Sequence, residues 1–252
     1  MDLYSFAPIA TVLDLAYSFV VALADGLTPI AGVSATALAI VVLTLVVRTA
    51  LIPVGVSQVR AELTRKRIAP KLQALQRRYK KNPQLLQQKM LELYREEKTS
   101  PLAGMLPTLL QAPVLSIVYG LFILGTINGH PNGLLTEALA GVPLGDSLFA
   151  LIGGGAVWPG LLVYLGLLAV LAVVAATSRI VARRFALPQP DATPAMQRMT
   201  AWLGWLPFIT VVFAAIAPLA AAIYLAVTTT WTLGERVLLR RILARRSEAA
   251  TA

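Results

Sequence analysis

From Met199 to Gly234 the chain runs 36 residues without a charged side chain. As one straight helix, at ~1.5 Å per residue, it would be about 54 Å long, against a hydrocarbon core of ~30 Å. The run therefore reads as two spans, 202–217 and 219–235, with Pro218 at the turn. Three further stretches meet the requirement of ~20 mainly apolar residues. Residues 33–56 carry one charge, Arg48, and residues 105–127 carry none. Ser147 to Ser178 carries none either; the glycines Gly153 to Gly155 and Pro159 start the helix near Trp158, for a span of 158–178. The expected fold is an all-α integral membrane protein with five transmembrane helices. Composition agrees: 57% of the residues are hydrophobic and 13% charged, where a soluble domain has about 25% charged.

Lysine and arginine orient the spans. Residues 1–47 contain none and the loop 128–157 contains none. Twelve lie in 57–104, four in 179–201 and five in the tail 236–252; the one left over is Arg48. All but Arg48 share one side if the N-terminus is outside and the C-terminus in the cytosol. The net charge of +10 is thus a topology signal first. It also gives a cytosolic face suited to anionic lipids or ribosomal RNA, with no specific DNA binding implied.

The loop 57–104 is expected to form a cytosolic helical hairpin. Pro70 opens one helix, with Leu72, Leu75 and Tyr79 on one face. Asn82-Pro83 reads as an N-cap and first-turn proline for the next, with Leu86, Met90 and Leu93 on one face. Residues 1–32 form a lead-in. Within Phe6 to Ala24, and on to Asp25, the polar residues Thr11, Asp14, Ser18 and Asp25 fall on one helical stripe. An N-terminal helix lying on the membrane surface accounts for them, with a sixth span as the alternative. Pro188, Pro190 and Pro194 mark a short connector before the fourth span.

Polar residues inside the spans carry the functional signal. A cation at mid-bilayer costs ~2.5–3.5 kcal/mol on insertion scales. Arg48 persists either because it faces a wet cavity or because it snorkels to the cytosolic edge. Thr44 lies one turn before it; Thr108, Gln111, Tyr119 and Thr126 make a stripe on the second span; Tyr224, Thr228, Trp231 and Glu235 make one on the fifth. These stripes are either interhelical hydrogen bonds or the lining of a shared hydrophilic cavity, and three of them with one cation favour the cavity. No catalytic chemistry is expected. The chain has no cysteine and a single histidine, His130, read as a solvated loop residue. That excludes thiol catalysis, disulfides and multi-histidine metal sites. No nucleotide-binding glycine loop occurs, and no cofactor or metal is expected.

The segments TLVVRTALIP (44–53), IAPKLQALQRRYKKNPQLLQQKMLELYREEKTSPLAGMLPTLLQAPVLSIVYGLF (68–122) and IAPLAAAIYLAVTTTWTLGERVLLRR (216–241) resemble the YidC family of membrane protein insertases, relatives of the mitochondrial Oxa and chloroplast Alb proteins. The G-x-x-P-x-x-x-Q-x-P pattern within the second is the most specific element. The resemblance implies five spans and an insertase of the bacterial cell membrane that integrates and helps fold other membrane proteins without nucleotide hydrolysis. It implies a hydrophilic groove containing Arg48, with Thr44, Thr108, Gln111, Tyr119, Tyr224, Thr228 and Trp231 as its lining. It implies Arg77, Arg78, Lys80 and Lys81 as the cytosolic contact for clients or ribosome. The partners implied are nascent membrane proteins, with the Sec translocon, the ribosome or targeting machinery, and anionic lipids.

The chain departs from the family at Leu225, where an aromatic residue is common, and at Glu235 and Arg236, where paired glutamines are common. Its short tail argues against tethering to the ribosome by the tail. It resembles a divergent, short bacterial form. The alternative from another class is a small transporter or channel using Arg48 as an anion site.

Overall fold

The computed structural model describes residues 4, 6–100, 102, 106–155, 158–186 and 193–249. The described residues are mostly helical. Three stretches are long and apolar enough to cross a membrane: Ala7–Ala50, Trp158–Phe185 and Pro194–Ile216. A shorter apolar helix covers Gln111–Leu121. Two compact units can be recognised. One comprises Met1–Ala50, Pro113–Phe185 and Pro190–Leu233; the other comprises Leu51–Ala112, Ala186–Gln189 and Gly234–Ala252.

The first unit opens with α1 (Ala7–Ala31) and α2 (Ala35–Ala50), folded back on each other through one 3-10 turn at Gly32–Ser34. Gly32 has φ 52, a left-handed value that side-chain-bearing residues rarely adopt, and its N–H closes α1 onto the Thr28 carbonyl. α1 buries Leu13, Val20 and Ala24 in the core that also holds Ala39, Ile40 and Leu43 of α2. It runs seven residues beyond Ala24, where the surface stripe was drawn to end, and it exposes Val12, Leu15 and Phe19 on a second apolar face.

After α5 (Leu106–Leu121) the chain forms two small antiparallel hairpins, the one strand-like feature among the described residues. β1 (Thr126–Ile127) pairs with β2 (His130–Pro131) across Asn128-Gly129, whose φ values of 46 and 85 make a type I′ turn. β3 (Ala138–Leu139) pairs with β4 (Val142–Pro143) across Ala140-Gly141, with φ values of 51 and 83. Thr126, grouped by spacing with the second-span stripe, therefore lies in β1 and not on the helix. Asn132 is 3% exposed and organises the segment. Its amide nitrogen donates to the Leu121 and Leu124 carbonyls, both at 2.8 Å, and its oxygen accepts the Leu134 N–H at 3.2 Å.

α6 (Leu148–Gly153) is capped by Ser147, whose hydroxyl accepts the Ala150 N–H. α7 (Trp158–Phe185), α8 (Pro194–Leu203), α9 (Leu206–Ile216) and α10 (Leu219–Ala249) follow. Pro194 does not mark a connector. It occupies the first turn of α8, where its missing N–H costs nothing, and Thr193 caps that helix by accepting the Met196 N–H. Pro188 and Pro190 lie outside the described residues. The uncharged run is divided at Ala217, whose extended backbone ends α9. The freed N–H groups at the start of α10 are taken by the loop before α6: Leu219 N donates to the Asp146 carbonyl and Ala220 N to that of Leu144, both at 2.9 Å. The buried Tyr164 hydroxyl donates to Asp146 and Ala217 carbonyls at 2.6 and 3.2 Å, tying α7 to the same junction.

The second unit holds α3 (Ile52–Arg78) and α4 (Pro83–Glu96). Pro70 does not open a helix: it sits inside α3, which starts at Ile52 because Pro53 suits a first turn. Asn82 caps α4 by accepting the Leu85 N–H at 3.1 Å. Arg67 and Lys71 of α3 both reach Glu97 just past α4, at 3.0 and 2.5 Å, so the two helices run antiparallel. Glu62 and Arg240 join α3 to the end of α10 at 2.6 Å.

Candidate functional site

α2 ends at Ala50 because Pro53 has no N–H to continue the ladder and Leu51 leaves helical geometry (φ −87, ψ 0). Arg48 thus stands in the last turn of α2, where a cation also complements the helix dipole. It is 6% exposed, and its Nε donates to the Thr228 hydroxyl of α10 at 3.2 Å. Thr44, one turn earlier, is 1% exposed and donates its hydroxyl to the Ile40 carbonyl at 2.7 Å. That internal bond satisfies Thr44 within its own helix.

Tyr224 lies one turn before Thr228, buried and near enough to Arg48 to interact electrostatically. Tyr119 of α5 is half-buried; its ring centroid is 6.4 Å from that of Tyr224 and 6.0 Å from that of Phe213. The Tyr119 hydroxyl is buried and has no hydrogen-bond partner among the described residues. Arg48, Thr228, Tyr224 and Tyr119 are thus near neighbours on three helices of the first unit.

The other expected residues have contacts of their own. Gln111 accepts a hydrogen bond from Gln58 Nε2 at 3.2 Å, in the second unit. The Thr108 side chain lies outside the described residues. Trp231 lines an apolar groove of about 310 Å³ with Leu45, Val170, Ala226, Val227 and Thr230. The Glu235 carboxylate lies over Gly55, where any side chain would displace it. Arg77, Arg78, Lys80 and Lys81 are exposed at the end of α3 and in the turn before α4. Arg78 stacks over the Tyr79 ring, 5.5 Å from its centroid.

His130 is not simply solvated. It is half-buried, its Nε2 lies 2.9 Å from the Asp14 carboxylate, and its ring centroid lies 5.0 Å from that of Tyr17. Sequence reasoning missed this because Asp14 is 116 positions away. The hydrogen bond to Asp14 raises the imidazole pKa above 6.5, with a smaller contribution from the Pro131 carbonyl. A raised pKa means stabilisation that is full below the unfolded value, near 6.5, and lost as pH climbs through the folded one. Hydrogen exchange of the β1–β2 hairpin is expected to quicken in His130→Ala relative to wild type at pH 6, with the difference shrinking at pH 9.

Residues 27–246 match the family model described as the 60Kd inner membrane protein. The chain belongs to this family. It is 29% identical over 237 residues to the chloroplast inner membrane protein ALBINO3 of Arabidopsis thaliana, covering 87% of this chain and 50% of that one. It is 27% identical over 216 residues to the membrane protein insertase YidC of Streptomyces avermitilis, covering 79% and 50%. Over 83 residues, 33% of this chain and 35% of the relative, it is 41% identical to YidC of Clostridium perfringens. The chain spans half or less of the length of these relatives. Family membership and the apolar helices make it a multi-pass protein of the bacterial cell membrane.

Proposed function

We propose that this chain is a membrane protein insertase that works without nucleotide hydrolysis, and that Arg48 receives the polar end of a client. The observation that carries the reading is the buried Arg48–Thr228 pair between two apolar helices. A polar segment crossing bare hydrocarbon leaves its donors and acceptors unpaired, at several kcal/mol each. A hydrophilic groove around Arg48, Thr228, Tyr224 and Tyr119 would take over part of its hydration. One charge pair at ~4 Å and an effective dielectric of about 20 is worth ~4 kcal/mol before desolvation, enough to hold an acidic segment briefly and release it. Partitioning of the client's apolar segment into lipid then completes insertion.

In this reading five spans cross the membrane, at 33–56, 105–127, 158–178, 202–217 and 219–235, with the N-terminus outside and α1 on the outer surface. The contact of Asp14 in α1 with His130 in the loop 128–157 supports placing both on one side. Asn132 is too buried to report topology by thiol labelling. Single cysteines at the exposed Glu137 and Gln84 are expected to label from outside and inside respectively; labelling of both from one side contradicts the topology.

The α3–α4 hairpin is proposed as the cytosolic contact for clients, ribosome or targeting machinery, and the Sec translocon as a partner in the membrane. Changing Arg77, Arg78, Lys80 and Lys81 to glutamate is expected to cut client or ribosome capture at least about tenfold, as four exposed cations each contribute up to ~1 kcal/mol to an anionic surface. The hairpin's thermal stability should change little. Co-sedimentation with ribosomes, against circular dichroism of the same variant, checks both.

The purified chain in liposomes is expected to integrate a short single-span client into a protease-protected form without nucleotide. Failure to do so, together with anion flux through the same vesicles, would favour the channel reading.

A further inference from the structure

The last two turns of α7 carry Arg179, Arg183 and Arg184. The Arg179 guanidinium lies flat over the Trp205 ring, 3.5 Å from its centroid. Its Nε is buried and has no hydrogen-bond partner among the described residues. Stacking on an aromatic face holds the guanidinium plane and does not use its N–H donors, the arrangement that suits a phosphate. Arg183, one turn on, is close enough to Arg179 for the two charges to repel, which any bound anion relieves.

α8 adds the second half of the surface. It exposes Met196, Met199 and Leu203, spaced three and four apart, so they form one apolar stripe. Trp202, 78% exposed, stands at the edge of that stripe, next to Arg198 on the helical wheel. Trp205, in the break before α9, is 50% exposed. A short amphipathic helix with tryptophan at its polar boundary and arginine beyond it is the pattern of an element lying at a headgroup layer. No carboxylate occurs among the described residues between Arg179 and Trp205; the sequence places one, Asp191, outside them.

We infer that the end of α7, α8 and Trp205 form a binding site for the phosphate headgroup of an anionic phospholipid, with Arg179 and Arg183 as the phosphate ligands and Trp202 seating the helix in the interface. This rests on the reading that the α7–α8 connection is cytosolic. Such a site holds the fourth span's entry against the leaflet while clients move past.

The test uses the full chain, purified in detergent and incubated with phosphatidylglycerol or phosphatidylcholine, with retained lipid read by native mass spectrometry. Wild type is expected to retain phosphatidylglycerol over phosphatidylcholine. The double variant Arg179→Gln, Arg183→Gln is expected to lose that preference by roughly tenfold. Arg179→Lys, which keeps the charge but not the planar fork, should fall between. If the double variant does not fold, as judged by gel filtration and melting, Arg183→Gln and Arg198→Gln, both at exposed side chains, carry the test with smaller losses. Equal retention of the two lipids by wild type, or unchanged preference in the variants, overturns the site. Retention of a short RNA oligomer that the variants lose, with lipid preference intact, also overturns it and makes the surface a nucleic-acid face. Client insertion measured on the same preparations is read separately, so loss of insertase activity in wild type with the lipid preference intact defeats only the insertase reading.

Discussion

Arg48→Ala is expected to reduce insertion of clients with an acidic N-terminal segment by about tenfold or more, while clients with a neutral segment lose far less. The magnitude follows from the charge: an attraction of ~4 kcal/mol before desolvation, of which a third or more surviving is a factor of at least ten. Arg48→Lys should keep most of the activity, because a client's carboxylate meets a positive charge in either case. Thr228→Val should cost less than Arg48→Ala, since it removes hydrogen bonds of ~1 kcal/mol each and leaves the charge. Protease protection of the two client types on one set of vesicles gives all these ratios. Equal activity of Arg48→Ala and wild type on both clients would mean that the arginine only snorkels to the cytosolic edge.

The largest stability effect is expected at Asn132. Three hydrogen bonds converge on this 3% exposed side chain. Asn132→Ala leaves the Leu121 and Leu124 carbonyls facing a void, at ~1–2 kcal/mol each, for a total of about 2–4 kcal/mol. For a chain of this size that corresponds to a fall of roughly 5–10 °C in the melting midpoint. Asn132→Asp should be no better, because its carboxylate accepts hydrogen bonds where the two carbonyls need a donor. A melting curve of the purified variants within 1 °C of wild type would show that the carbonyls find other partners.

Periodicity and charge along the chain made the helical membrane class legible, because apolar runs and segregated cations are local properties. Arg48 and Thr228 were each singled out on their own helices, yet their hydrogen bond joins positions 180 apart and could not be read from either segment. Trp231 lies three residues beyond Thr228 on the same stripe, and spacing alone does not reveal that it also lines an apolar groove with Leu45 and Val170. Pro53 and Pro70 show the limits of a proline signal. Both can open a helix, and only Pro53 does, because α3 was already under way when the chain reached Pro70. The Asn128-Gly129 pair is a strong hairpin-turn signature and was overlooked in a chain dominated by helical spans. The role of Asn132 is not legible in the sequence, because nothing local to it reveals the Leu121 and Leu124 carbonyls that it serves.

Having no cysteine, the chain offers a clean test of where a client's polar segment travels. A Thr228→Cys variant that still inserts is paired with a single-span client carrying one cysteine in its acidic N-terminal segment, and disulfide-linked adducts are trapped during insertion. Phe149→Cys, exposed on α6, serves as the control. The account predicts a client adduct at position 228 that disappears when Arg48 is replaced by alanine, and none at position 149. An active Thr228→Cys variant that forms no adduct, or forms it equally at both positions, would contradict passage of the polar segment beside Arg48.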